Sequence, residues 1–184
     1  MRFTLYTLTA FFLLLMFLPS QATAQRRDYL TDEEIELVRD AQEIDRRVDV
    51  LVKAVDRRFI ALTGDASQTK QLEKDNETWG ELPKGKRYQL LSDISKILQK
   101  AVDDIDNLAM REKGMDSALF PVAVHKLADA ANRFLPQLKM QLDKVAEEKE
   151  RGSILNSIDL CNQIIEAAAK IPKENPKEKK KKKS

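Results

Sequence analysis

Residues that commonly carry out chemistry are scarce in this sequence, which contains one histidine, His125, and one cysteine, Cys161. Motifs that need two histidines, such as H-E-x-x-H or the paired E-x-x-H of di-iron bundles, are excluded, and so is the haem-attachment motif C-x-x-C-H. No G-x-S-x-G motif supports a Ser-His-Asp triad. A b-type haem held by His125 and a methionine such as Met110 or Met140 is one alternative. A polar histidine on a helix face is the preferred interpretation.

Cys161 and a group of aspartates are both interpreted as structural. Cys161 lies in an apolar stripe, where cysteine behaves as a small buried hydrophobe, whereas an intermolecular disulfide would require exposure. Asp103, Asp104 and Asp106 lie close together, but the glycine and glutamate of an EF-hand loop are absent at the required spacing. We predict a solvated acidic helix face, and no catalytic, metal or cofactor site.

A basic cluster follows the only tryptophan. Lys84, Lys86 and Arg87 come shortly after Trp79 and directly before Tyr88. Positive charges in the first turn of a helix oppose its dipole, so another interaction could favour them. An aromatic ring beside basic groups can contact a phosphate, a glycan or a nucleic acid. We therefore name the three basic residues as candidate anion contacts, while the preferred interpretation is that Trp79 packs against the bundle and the lysines stay in water.

The C-terminal residues 173–184 contain seven lysines and two glutamates, a net charge of +5. This low-complexity composition predicts a disordered tail. Each lysine could add up to about 1 kcal/mol to the free energy of binding to an anionic surface, and salt would weaken this attraction. The alternative is a solubilising tail without a target. The candidate anion contacts in this tail are Lys179, Lys180, Lys181, Lys182 and Lys183.

The rest of the chain is mildly acidic. Of the 32 basic and 30 acidic residues, residues 25–172 carry 24 and 28, a net charge of −4. About 150 residues suffice for one domain with its own core. Because one cysteine cannot form an internal disulfide, packing must stabilise this domain.

The first residues have the three parts of a secretory signal peptide. Arg2 precedes an apolar run at residues 3–18, and Ala22-Thr23-Ala24 has the small-x-small pattern cleaved by signal peptidase. The run is shorter than the about 20 residues that span a bilayer. We expect cleavage near Ala24, export to the periplasm or beyond, and no transmembrane segment in the mature chain. An uncleaved anchor is the alternative.

The first helix has the clearest signals. Thr31 and Glu34 form a capping box that begins it. Apolar residues then recur every three or four positions from Leu37 to Leu62, which is a seam of coiled-coil type. Gly64 supplies the stop, so one continuous helix is predicted.

Three further amphipathic helices follow a polar connection at residues 65–82. Their predicted spans are 83–114, 117–150 and 153–172, with Pro136 interrupting the third and Gly152 dividing the third from the fourth. The prediction is an all-α fold, an antiparallel bundle of about four long amphipathic helices at residues 25–172. A coiled-coil dimer built on the first helix, and hence self-association, is the alternative.

These features favour an exported, non-enzymatic binding or scaffolding module of the cell envelope that acts through its helix faces and basic tail. Its partner would be an envelope protein, or an anionic polymer or lipid surface. The alternative is a small-ligand or b-type haem-binding bundle protein with its site between helices. An enzyme is the weakest hypothesis, because no catalytic constellation is recognisable.

Deletion of residues 173–184 tests the basic tail. The truncated protein should elute from heparin at lower salt, and bind anionic vesicles more weakly, because it loses a net charge of +5. Helicity measured by circular dichroism should stay unchanged. Equal retention of the two proteins would exclude the tail as an anion contact.

Overall fold

Every regular element in the described part of the chain is a helix. The structure is a computed structural model, which describes residues 27–64 and 76–173. Within these ranges it has a 3₁₀ turn at Gly114–Asp116, six α-helices and no strand, which confirms the all-α prediction. The helices are α1 (Asp32–Asp40), α2 (Ile44–Thr63), α3 (Asn76–Trp79), α4 (Arg87–Ala109), α5 (Leu119–Leu142) and α6 (Glu148–Ala169).

Two predictions lie outside the described residues. They are the signal peptide at residues 1–24 and, apart from Lys173, the lysine-rich tail. None of the helices in the described ranges combines the length and the apolar character needed to cross a bilayer.

One hydrophobic core joins the four long helices. α5 packs against α2 and α6, and α4 packs against the same two helices. The predicted seams supply this core, since Leu51, Leu98, Leu127 and Ile154 are all buried. The rings of Phe59 and Phe134, with centroids 5.6 Å apart, join α2 to α5.

The first predicted helix is divided in two. Residues 41–43 separate α1 from α2, because the backbone of Ala41 leaves the helical region with a ψ of 83°. Arg47 Nε donates a hydrogen bond to the Ala41 carbonyl oxygen (3.0 Å) across this break. The prediction of one continuous helix is therefore wrong. Its capping box at Thr31 and its left-handed stop at Gly64 are confirmed.

The break lets α1 place a carboxylate inside the protein. Glu34, Arg57 and Arg58 are almost fully excluded from solvent, and we call them the buried charge cluster. Glu34 Oε1 lies 3.2 Å from Arg57 Nε and 2.5 Å from Arg58 Nη1. Glu34 Oε2 accepts the Thr31 backbone N–H at 3.0 Å, so one side chain both caps α1 and pairs with two arginines of α2. The sequence predicted only the capping role.

The two arginines also bind backbone carbonyl groups of chain segments outside the four long helices. Arg57 Nη2 donates to the carbonyl oxygens of residues 79, 80 and 81 at 3.0, 3.2 and 2.5 Å. Arg58 Nη2 donates to the Tyr29 carbonyl oxygen at 2.7 Å. Burial lowers the pKa of Arg57, and the charge of Glu34 opposes that effect. The cluster thus fixes the N-terminal segment and the α3–α4 connection together.

α4 and α5 differ from prediction at their ends. α4 begins at Arg87, not Pro83, and ends before Gly114. A Cβ at Gly114 would lie 1.7 Å from the Leu108 carbonyl oxygen, so this glycine allows a tight connection and does not stop the helix. α5 continues through the exposed Pro136 and ends eight residues before the predicted boundary.

The boundary between the third and fourth predicted helices is wrong. α6 begins at Glu148 and runs through Gly152 and Ser153, which were predicted to divide the helices. The buried Glu150 accounts for this position. Its Oε2 accepts the Ala146 backbone N–H at 3.3 Å and lies 3.3 Å from Arg87 Nε, which ties the end of the connection and the start of α6 to α4.

Substitution Glu34→Gln tests the buried charge cluster. It leaves two buried guanidinium groups without their counter-charge, and such losses cost about 3–5 kcal/mol of unfolding free energy. Urea denaturation measures the change. Glu36→Gln is the matched control: Glu36 is exposed on the same helix, and we expect an effect within about 0.5 kcal/mol. Equal stability of the two variants would contradict the role assigned to Glu34.

Candidate functional site

A concave apolar surface lies where α4 and α6 end and α5 begins. We call it the end groove, and its volume is about 260 Å³. The side chains that line it are Val102, Ile105, Asp106, Phe120, Val124, Leu127, Leu160, Gln163, Ile164, Ala167 and Ile171. The groove therefore lies between three helices, where helical proteins commonly hold ligands.

The floor of the end groove belongs to the hydrophobic core. Ile105, Val124, Leu127, Leu160 and Ile164 are buried. The rim is more exposed, because Phe120 and Ile171 are only partly buried and Ala167 is too small to fill the space beside it. The floor is thus rigid and apolar, and its upper part is open.

Polar side chains on the rim are few, namely Asp106 and Gln163. Asp106 is the one ionisable side chain that lines the end groove, and it is exposed. Gln163 Nε2 donates to Asp159 Oδ2 at 2.6 Å, which leaves the amide oxygen of Gln163 as an acceptor. The rim therefore offers hydrogen-bond acceptors.

His125 holds one wall of the end groove. Its Nε2 lies 2.9 Å from the Ile171 carbonyl oxygen. Since a carbonyl oxygen only accepts, His125 must carry a proton on Nε2 in this contact. His125 does not line the groove, and Met110 and Met140 are exposed. His125 and Met140 are also fifteen residues apart on one helix, a separation of about 22 Å along its axis.

The predicted basic cluster is not assembled as one surface. Arg87 is half-buried and bonds Gln141, with Nη1 at 2.6 Å from the side-chain oxygen and Nη2 at 3.1 Å from the backbone oxygen. Lys84 is exposed beside Glu81, whose hydrogen bond raises the pKa of Lys84. Lys86 is the N-cap residue of α4 and is exposed. Lys179–Lys183 lie outside the described residues.

Trp79 packs against the buried charge cluster. It is 8% exposed, and its ring centroid lies 4.6 Å from Lys53 Nζ and 5.6 Å from Arg57 Cζ. The interpretation that this tryptophan packs against the protein is confirmed. Its ring is thus occupied by α2 and not presented beside Lys84.

A second, more polar cavity of about 330 Å³ lies at the start of α1. Its charged lining groups are Arg27, Arg58 and Lys84, together with Asp28, Asp32 and Glu33. Three positive and three negative charges leave the lining neutral. Arg27 is also bound to Asp93, with Nη2 2.7 Å from Oδ2, so this cavity offers no concentrated positive charge.

The acidic residues of α4 are only partly solvated. Asp103 and Asp106 are exposed as predicted, whereas Asp104 is buried, with Oδ1 2.5 Å from Lys100 Nζ. The prediction of a solvated face is therefore wrong for Asp104. Among the described residues, no cluster of histidine, cysteine and carboxylates could hold a metal ion.

No family model, curated protein or solved structure matches this chain. Its function is therefore inferred from the contacts, exposure and charge of its own residues.

Cys161 is buried as predicted, and its chemistry is testable. Burial raises its pKa from 9.0 to about 12, so the thiolate fraction at pH 8 is about a thousandfold below that of an ordinary thiol. The folded protein should not react with a thiol reagent such as 5,5′-dithiobis(2-nitrobenzoate), and the urea-unfolded protein should react fully. Stoichiometric reaction with helicity retained would contradict the burial of this thiol.

Proposed function

We propose that this protein is an exported, non-enzymatic binding module that takes the alkyl chain of a small amphiphilic molecule into the end groove. The observation that carries the proposal is the groove itself, an open apolar concavity whose floor is continuous with the core. Each methylene group of a ligand that is removed from water there contributes about 0.8 kcal/mol to the free energy of binding.

The size of the end groove favours a single chain. Its volume of about 260 Å³ is below the range of about 300–1,000 Å³ that is typical of pockets for drug-sized ligands. A narrow alkyl chain suits this space better than a macrocycle. The haem alternative is also less favoured, because His125 does not line the groove and its Nε2 already bonds the Ile171 carbonyl oxygen.

A non-enzymatic role is supported by how the buried carboxylates are used. Asp93 bonds Arg27, Glu150 bonds Arg87, and Glu34 bonds two arginines. These pairs connect separate segments of the fold and lie away from the end groove lining. General acid–base chemistry would instead need a titratable group aimed at a bound substrate.

We infer that the four long helices form an antiparallel bundle, with the end groove at one end of it. The cyclic packing of α2, α4, α6 and α5 supports this arrangement. We further propose that residues 1–24 direct export and are removed, and that the lysine-rich residues 173–184 are disordered. This tail would hold the module at an anionic surface of the envelope.

Substitution Ala167→Phe tests the end groove, because the larger side chain would occupy the space beside Ile171. We expect binding of 1-decanol, measured by isothermal titration calorimetry, to weaken by tenfold or more. Ala169→Phe is the matched control, since residue 169 lies about 200° around the helix from residue 167 and does not line the groove.

Two results would contradict the proposal. One is that 1-decanol does not bind the unmodified protein. The other is that Ala167→Phe and Ala169→Phe change binding equally while both retain the helicity of the unmodified protein.

A further inference from the structure

The charges around the end groove bear on which amphiphile it takes. We propose that the ligand is an alkyl chain with a cationic head group, such as an alkylammonium, whose charge lies beside Asp106. This inference rests on the proposed function, since it names the chemical class of the molecule in the same groove.

Asp106 is available for such a contact. It lines the end groove, and within residues 27–64 and 76–173 its carboxylate forms no hydrogen bond or ion pair. The two other aspartates of this stretch are engaged. Asp103 accepts a hydrogen bond from Gln99 Nε2 at 2.9 Å, and Asp104 is paired with Lys100. Asp106 is therefore the carboxylate that a ligand in the groove would meet.

The helix termini add to the negative potential at this position. Asp106 lies in the last turn of α4, and Ala167 lies in the last turn of α6. Two C-terminal helix ends, each with partial negative charge, thus border the groove. One N-terminal end, that of α5 at Phe120, also borders it and carries partial positive charge. The net contribution of these three dipoles favours a cation.

Nearby polar groups point the same way. The amide of Gln163 is oriented by its hydrogen bond to the Asp159 carboxylate, which leaves its side-chain oxygen free to accept. No lysine or arginine lines the groove. Lys170 is bonded to Glu166 on the exposed surface, with Nζ 2.8 Å from Oε1. An anionic head group would find no positive partner among these residues.

The test compares three ligands that share a ten-carbon chain, each below its micelle concentration: decylammonium, 1-decanol and decanoate. We expect decylammonium to bind the purified protein about fivefold more tightly than 1-decanol at low salt, and decanoate to bind most weakly. The preference should shrink at 0.3 M salt, because Asp106 is exposed and its charge is screened.

Asp106→Asn assigns the preference to one residue. This variant should lose most of the preference for decylammonium, measured as the ratio of the dissociation constants for 1-decanol and decylammonium. Asp103→Asn is the matched control, because it removes an equal charge from the same helix at a position that does not line the groove. We expect it to keep the preference.

The outcomes separate this inference from the proposed function. Binding of 1-decanol that is weakened by Ala167→Phe, with no preference among the three head groups, would overturn the cationic ligand alone. Tighter binding of decanoate would also overturn it, and would indicate an anionic head group met by the lysine-rich tail. Failure of all three ligands to bind would overturn both proposals.

Discussion

The structure depends on one carboxylate that pairs with two arginines inside the protein. Glu34 reaches Arg57 and Arg58 only because α1 separates from α2 and folds back on it. Without that carboxylate, two like charges would lie side by side in a region from which water is excluded. The same guanidinium groups donate to the Trp79 and Tyr29 carbonyl oxygens, so the cluster links α1 and α2 to the chain segments beside them.

The sequence predicted the buried faces well and the helix ends poorly. Apolar periodicity reports which side of a helix leaves water, and seam residues such as Leu51, Leu98 and Ile154 are buried as expected. The buried charge cluster was missed because Arg57 and Arg58 look like a solvated pair in sequence. Only a partner 23 and 24 residues away shows that they are buried.

At the α5–α6 connection, the helix boundary differs from the one that local helix propensity favours. A glycine inside a helix costs about 1 kcal/mol relative to alanine, which is why Gly152 was interpreted as a stop. The contact between Arg87 and Glu150 outweighs that cost and places the boundary earlier. The same contact explains why Arg87 does not join Lys84 and Lys86 in an exposed basic surface, since it joins α4 to the start of α6.

The end groove could not be located from sequence, because it forms where three helices end or begin and not along any one stripe. A site between helices was considered only in general terms. His125 was interpreted as a polar surface residue, and nothing in the sequence links it to Ile171, which is 46 positions away. Asp106 likewise looked like one member of an acidic face, and the structure distinguishes it from Asp103 and Asp104.

The wall formed by Ile171 is also the point at which the chain leaves the helical body. Only Pro172 and Lys173 separate this wall from the rest of the lysine-rich residues. A pulling force on those residues, for example from a surface that binds them, would act first on the hydrogen bond between His125 and the Ile171 carbonyl oxygen. In the proposed function, attachment through the lysine-rich residues and retention of the ligand in the end groove would therefore both depend on this one contact.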